Sequence, residues 1–270
     1  MPELPEVETT LQNIATVLRG RTIESVEVLR KNMVKDHPTF AKRLKGKRVL
    51  EIRRHGKYLW MELSDGLNLM IHLRMSGRLG LRKVTDAPLS RERIRFSIGD
   101  DLVLVFNDPR TLGRLWIIEG NDVMKDPSMS KLGPDALTIT EDIFLNRLRK
   151  KRGTLKALLL NQSFIAGVGN IYGDEACFLA KIDPRRNASD LSEKERRRLY
   201  KSIVKTLEKG IRNMGTSFSD FVDLFGIPGK NQISLMVYGR KNQKCRDCKN
   251  MLKSTKIAQR TTVWCPTCQK

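Results

Sequence analysis

Two hydrophobic periods share the first 120 residues. Between residues 4 and 18, Val7, Leu11, Ile14, Ala15 and Leu18 recur at helical spacing. Pro5 stands where a first helical turn accepts proline, and Gly20 supplies a stop. From about residue 22 to 119 the signal is that of strands, carried by TIESVEVL, VLEIRRHGKYLWMEL, NLMIHLRMSGRLGL, RIRFSI, LVLVFN and RLWIIE. Several of these alternate apolar and polar residues, and Ser64-Asp65-Gly66 and Gly99-Asp100-Asp101 supply turns. Connections this short predict an antiparallel β-sandwich or barrel.

The period then returns to that of helices in DIFLNRLRKK, LKALLLNQ and SEKERRRLYKSIVKTLEKGIRNMG. Ser192 with Glu195 reads as a capping box, and Leu199, Ile203, Leu207 and Ile211 form a buried stripe. Arg196, Arg197 and Arg198 fall on the solvated face. Pro127, Gly133 and Pro134 mark a linker, and Gly215–Asn231 is long for a plain connection. The expectation is an α+β chain. An N-terminal β-sandwich with a leading helix spans 1–125, a linker 126–134, a helical domain 135–230 and a C-terminal piece 231–270.

Charge changes the picture. The formal net charge is +21, from 51 Lys and Arg against 30 Asp and Glu. Residues 131–270 hold 28 basic and 13 acidic side chains, against 23 and 17 in residues 1–130. Such a balance points to a polyanion, most simply nucleic acid, tracked through its phosphates. No apolar run reaches membrane-spanning length and the N-terminus is acidic, so a soluble intracellular protein without a membrane partner is expected.

Four of the five cysteines read Cys245-x2-Cys248-x16-Cys265-x2-Cys268. Paired CxxC knuckles at this separation predict one structural zinc ion held by four thiolates, folding a tail with little core of its own. Two disulfides are the alternative, and they fit an intracellular chain poorly. Arg260, in the QRTT stretch between the knuckles, would project from the hairpin tip. Cys177, in GDEACFLA, reads as a core thiol. Ala166-Gly-Val-Gly-Asn-Ile-Tyr172 lies between two helical stretches. Close glycines at a helix start let backbone N–H groups converge on an anion, and Arg152 and Lys156 add positive charge for a DNA phosphate.

Pro2 and Glu3 precede the first helix. Removal of Met1 would leave a secondary amine with a pKa of about 8, partly neutral at physiological pH. Such an amine can attack an electrophilic sugar carbon and form an iminium, and a neighbouring carboxylate can shuttle protons.

Over essentially its whole length the sequence resembles the formamidopyrimidine-DNA glycosylase family. The resemblance rests on PELPEVET, on HGKYL with Lys57, and on IHLRMSG with His72 and Met75. It continues through NDPRTLG with Arg110, GVGNIYGDE with Asn170 and Glu175, and the cysteine hairpin ending CPTCQ. PELPE is closer to this branch than to the endonuclease VIII branch, where glycine commonly replaces the leucine. The resemblance implies a helix–two-turn–helix in the helical domain and a C-terminal zinc finger. It also implies excision of oxidised purines and strand cleavage by β,δ-elimination on damaged double-stranded DNA. Pro2 would be the nucleophile at C1′ and Glu3 the proton donor for ring opening. Lys57 would bind phosphate and assist β-elimination, and Arg260 would serve the δ-elimination phosphate. Asn170 would hold the same backbone, Arg152 and His72 would be DNA contacts, and Met75 and Arg110 would fill the gap left by the flipped base.

Two departures stand out. Leu112 occupies the place of the family's wedge phenylalanine, and Arg91 and Arg93 stand where the family tends to have histidines, so a contact at Arg91 transfers weakly. The base-recognition loop falls in 215–238, the least uniform part of the family. Alternatives are a preference for oxidised pyrimidines, a non-catalytic zinc-dependent DNA-binding protein, and a zinc-ribbon RNA-associated protein. The last two leave Pro2, Glu3 and Lys57 without a purpose. A monomer is the expected state.

Overall fold

The structure, a computed structural model, describes residues 1–35, 37–218 and 221–270. The chain forms two compact units: 1–130 with 213–230, and 131–212 with 231–270.

The first unit opens with α1 (Leu4–Leu18), followed by β1 (Ser25–Val28) and α2 (His37–Leu44). Strands β2 (Val49–His55), β3 (Tyr58–Leu63), β4 (Leu67–His72), β5 (Arg78–Lys83), β6 (Glu92–Ser97), β7 (Leu102–Asn107) and β8 (Arg114–Glu119) follow. They build two four-stranded antiparallel sheets, ordered β1-β6-β7-β5 and β2-β3-β4-β8. β6 alternates buried and half-buried residues, whereas β3 and β4 are buried almost throughout. Val7, Ile14 and Leu18 of α1 join Phe40, Leu59, Ile71, Phe96 and Phe106 in one core. The long apolar runs 49–63 and 68–81 each break once. One break is the turn at Gly56-Lys57 and the other is Leu73–Gly77. Each break presents side chains singled out from the sequence.

The second unit contains α3 (Glu141–Arg149), α4 (Leu155–Leu160), α5 (Asn170–Leu179) and α6 (Glu193–Arg212), then the hairpin strands β9 (Lys253–Ile257) and β10 (Arg260–Trp264). Leu199, Ile203 and Leu207 of α6 are buried. The capping box at its start forms, with the Ser192 amide donating to Glu195 Oε2 at 2.8 Å and the Glu195 amide to Ser192 Oγ at 3.3 Å. Among the described residues no helix is long and apolar enough to cross a membrane.

The expected helical domain over 135–230 needs correction at its end, because residues 213–230 belong to the sandwich unit. Leu224 enters the sandwich core, its carbonyl accepts from the Leu81 amide at 3.1 Å, and the Thr216 amide donates to Glu6 Oε1 at 2.7 Å. Contacts made across more than a hundred residues of chain outweigh sequence adjacency to α6.

Candidate active site and nucleic-acid interface

The head of α1 holds Pro2 and Glu3, both buried. Glu3 is the N-cap, in a reciprocal capping box with Glu6, whose Oε2 accepts from the Glu3 amide at 2.8 Å. Glu6 Oε1 takes the Thr216 amide, so one buried carboxylate ties the residue after Pro2 to the 213–230 segment. Arg54 makes a second tie. Its Nε donates to Glu8 of α1 at 2.8 Å and its Nη1 to the Gly56 carbonyl at 3.0 Å. The turn carrying Lys57 is thereby bound to the helix that Pro2 immediately precedes. Lys57 is itself buried.

His72, at the end of β4, pairs in register with Tyr58, and their rings meet edge to face with centroids 4.4 Å apart. Its Nδ1 accepts from the Arg74 amide at 3.0 Å, which leaves Nε2 to carry the proton. Burial, then the charges of Arg74 and Lys57, pushes its pKa down to about 3. His72 is thus a neutral donor at physiological pH.

Met75, Arg110 and Leu112 lie on two loops that share one anchor. Asp108 is fully buried and accepts from Ser76 Oγ (2.5 Å) and from the amides of Arg110 (3.1 Å), Leu112 (2.8 Å) and Gly113 (2.7 Å). Arg110 Nε reaches back to Ser76 Oγ at 3.2 Å. A Cβ at Gly113 would lie 2.4 Å from the buried Phe106 ring, so only glycine lets the loop settle there. Leu112 is 40 % exposed and Arg110 is exposed. Arg91 is exposed with φ 64, while Arg93 turns inward and donates to the Asp108 carbonyl at 2.8 Å. In place of the histidine the family tends to have, a permanent cation braces the loop.

Residues 213–230 present Phe218, Phe225 and Ile227 to solvent, each at least half exposed. Asp223 Oδ1 holds the amides of Phe225 and Ile227, and Ser217 Oγ accepts from the Gly229 amide. Ser219 and Asp220, within the expected base-recognition loop, lie outside the described residues.

In the second unit the glycine segment does start a helix. Gly169 is the N-cap of α5 and Asn170 its first residue. Gln162 clamps the turn, its Oε1 accepting from the Gly167 amide at 2.9 Å and its Nε2 donating to the Val168 carbonyl at 2.8 Å. Arg152 is exposed just before α4. Lys156 corrects the sequence reading. Its side chain is fully buried and salt-bridged to the equally buried Asp174 at 2.5 Å, so it cannot reach a DNA phosphate. Glu175 is structural too, accepting the amides of Met236, Val237 and Tyr238 at 2.8–2.9 Å. Cys177 is a core thiol that burial pushes up to about 12.

β9 and β10 are joined by Ala258 and Gln259, both left-handed (φ 46 and 60), in a two-residue turn closed by the Ile257–Arg260 pair. Arg260 is exposed beside that turn. The four cysteines converge, their sulfurs all within 4.8 Å of one another and none in a disulfide. A tetrahedral zinc thiolate site has Zn–S bonds of about 2.3 Å and hence S···S edges of roughly 3.8 Å. The observed 4.0 Å for Cys245–Cys268 and 3.4 Å for Cys248–Cys265 fit that ion, and the set leaves no position open for chemistry.

Three family models match in sequence order: the formamidopyrimidine-DNA glycosylase N-terminal domain over residues 1–115, its H2TH domain over 132–222, and the zinc finger found in FPG and IleRS over 242–270. The chain belongs to the formamidopyrimidine-DNA glycosylase family. It is 41% identical to the formamidopyrimidine-DNA glycosylase of Heliobacterium modesticaldum, with both chains fully covered. It is 38% identical to that of Pelotomaculum thermopropionicum, covering 100% of this chain and 99% of the other. The solved complex between Lactococcus lactis Fpg and an abasic-site DNA has the same fold (TM-score 0.93, 34% identity, both chains fully covered). So does a G226P mutant of that protein with Fapy-dG-containing DNA (TM-score 0.93, 34% identity, both fully covered).

Membership in the family gives the tethers described above their meaning. Arg54, Glu6, Asp108, Gln162 and Asp174 touch no expected ligand, yet each fixes a segment that carries an expected site residue. For Asp108 and Asp174 a signal was present: a carboxylate among apolar or tightly turning neighbours, in VFNDPR and NIYGDEACF. For Arg54 and Gln162 none was, because their partners are backbone atoms or distant side chains.

Proposed function

We propose that this chain is a bifunctional DNA glycosylase and AP lyase that removes oxidised purines, 8-oxoguanine and formamidopyrimidines, from duplex DNA. The observation that carries the reading is the head of α1. In a DNA glycosylase family member, Pro2 is followed by a carboxylate whose backbone is anchored by Glu6. After loss of Met1, the Pro2 amine attacks C1′ of the damaged nucleotide and the C1′–N bond breaks, the departing base taking up a proton. Glu3 donates a proton to O4′, the C1′–O4′ bond breaks, and the opened sugar is left joined to Pro2 as an iminium. The iminium acidifies the C2′ proton, its removal expels the 3′ phosphate, and a second elimination expels the 5′ phosphate. Lys57 and neutral His72 grip the phosphate on the first unit. Asn170, with Arg152, and Arg260 do so on the second, and Arg260 serves the δ step. Met75, Arg110 and Leu112 fill the space the flipped base vacates. The zinc ion supplies folding free energy to the hairpin.

Borohydride trapping tests the reading on duplexes carrying 8-oxoguanine opposite cytosine or an abasic site. An adduct mapping to Pro2 on both is expected. An adduct on the abasic duplex alone would keep the lyase and move the lesion toward oxidised pyrimidines. Tight binding with no adduct on either would leave only a DNA-binding protein. A Pro2→Gly variant that folds, binds DNA and still excises at the parent rate would sink the covalent mechanism.

A further inference from the structure

Lys156 and Asp174 form an ion pair from which water is fully excluded. Removing two charges from water is costly, and apolar residues of similar volume are often at least as stabilising. The chain also keeps glycine at position 173, inside α5, where it disfavours the helix. A Cβ there would stand 3.0 Å from Lys156 Nζ, so the glycine leaves room for the ammonium. Two features that do not serve stability, the buried ion pair and the glycine, therefore coincide at one place.

What they hold is the free edge of the zinc hairpin. All five residues of β10 pair in register with β9, and the Val263 amide and the Thr261 carbonyl are taken up by side chains of α5. Asp174 Oδ2 accepts from the Val263 amide at 3.0 Å, and Asn170 Nδ2 donates to the Thr261 carbonyl at 3.1 Å. Side chains of α5 thus occupy the place of a third strand along that edge. Lys156 Nζ completes the arrangement by donating to Asp174 Oδ1 at 2.5 Å and to the Asn170 carbonyl at 2.7 Å. The cysteines fix the base of the hairpin, whereas these bonds fix how β10 lies along α5 three residues from Arg260.

We propose that Asp174, through its side-chain oxygen on the Val263 amide, is a positioning residue that sets the register of the zinc hairpin on α5 and so aims Arg260 at the phosphate. The proposal rests on the reading of Arg260 as the δ-elimination side chain.

Two double variants separate register from charge. Lys156→Met with Asp174→Asn removes both charges but keeps an oxygen for the Val263 amide. Lys156→Met with Asp174→Leu removes both charges and the oxygen. Zinc content, hydrogen exchange at the Val263 amide, and the partition between β and δ products on an abasic duplex are measured for each. The Asn variant is expected to keep zinc, Val263 protection and a partition within about twofold of the parent. The Leu variant is expected to keep zinc but to lose that protection, its δ step slowed by roughly 10- to 100-fold relative to its β step. If leucine costs the protein its zinc, alanine at 174 takes its place. Parent-like protection and partition in the variant without the oxygen would overturn the proposal, as would equal impairment of both variants. If Arg260→Ala leaves the δ step of the parent unchanged, the reading of Arg260 fails, while the exchange of Val263 still decides the register.

Discussion

The loop of Arg110 and Leu112 and the hairpin of Arg260 both carry basic side chains at exposed positions, but they are held by opposite means. The loop sits on Phe106, part of a large sandwich core, and a single carboxylate, Asp108, collects its backbone amides. The hairpin rests on a small cluster of Phe178, Val237, Leu252, Val263 and two of the cysteines. So little apolar area cannot offset the chain entropy of an ordered segment, and a metal takes over. Rigidity is thus reached in the loop through packing and in the hairpin through coordination, with Asp174 and Asn170 fixing its register. The two regions should fail under different insults.

Chelation should produce the largest difference. Removing zinc is expected to weaken DNA binding by at least about 100-fold, since structural zinc contributes on the order of 10 kcal/mol or more to such folds. The sandwich should stay folded. Titration with labelled duplex, alongside thermal unfolding followed at the sandwich tryptophans Trp60 and Trp116, checks this, and coincident unfolding of both units would contradict it. Asp108→Ala is the converse insult. It strips partners from three amides and the Ser76 hydroxyl and should cost roughly 2–4 kcal/mol, seen as a lower denaturation midpoint with zinc retained. Excision should fall further than cleavage of a preformed abasic site, where no base has to be displaced.

A third test concerns His72. Its folded pKa of about 3 lies below the ordinary 6.5, so the unfolded chain takes up the proton first on acidification. The stability it contributes is complete above about pH 6.5 and is lost as pH falls toward 3. Imidazole ¹⁵N shifts should show a neutral ring protonated at Nε2 at pH 5, and a step in DNA affinity assignable to His72 near pH 6.5 would contradict this. The smallest effect is expected from Leu112→Phe. At an exposed position it should shift stability by no more than about 0.5 kcal/mol, yet alter relative excision rates opposite different bases. Single-turnover assays with each opposite base would show it.

Much of the fold was legible because the two periods are sharp. β6 alternates along its whole length, and α6 buries one stripe. α2 was not, since HPTFAKRL buries only Phe40 and Leu44, too few to establish a period. Nor was the allegiance of residues 213–230, which depends on Glu6 and Leu81, far away in the chain. The cysteines and the glycine turn were legible because metal geometry and backbone conformation demand particular residues at fixed spacing. Lys156 misled because a lysine beside Arg152 in a basic stretch looks like a phosphate contact. Only Asp174, one turn into α5, reveals where its charge goes.

The return of the chain to the sandwich after α6 has a practical consequence for dissecting the protein. A fragment ending at residue 130 lacks Leu224 from its core and the Thr216 amide from Glu6, and a fragment starting at 131 carries residues 213–230 without their packing partners. Neither cut at the apparent linker yields a self-sufficient piece. Isolating the half that holds Pro2 calls for splicing 213–230 onto 1–130, with a short bridge replacing 131–212 on one side and the cysteine tail removed on the other.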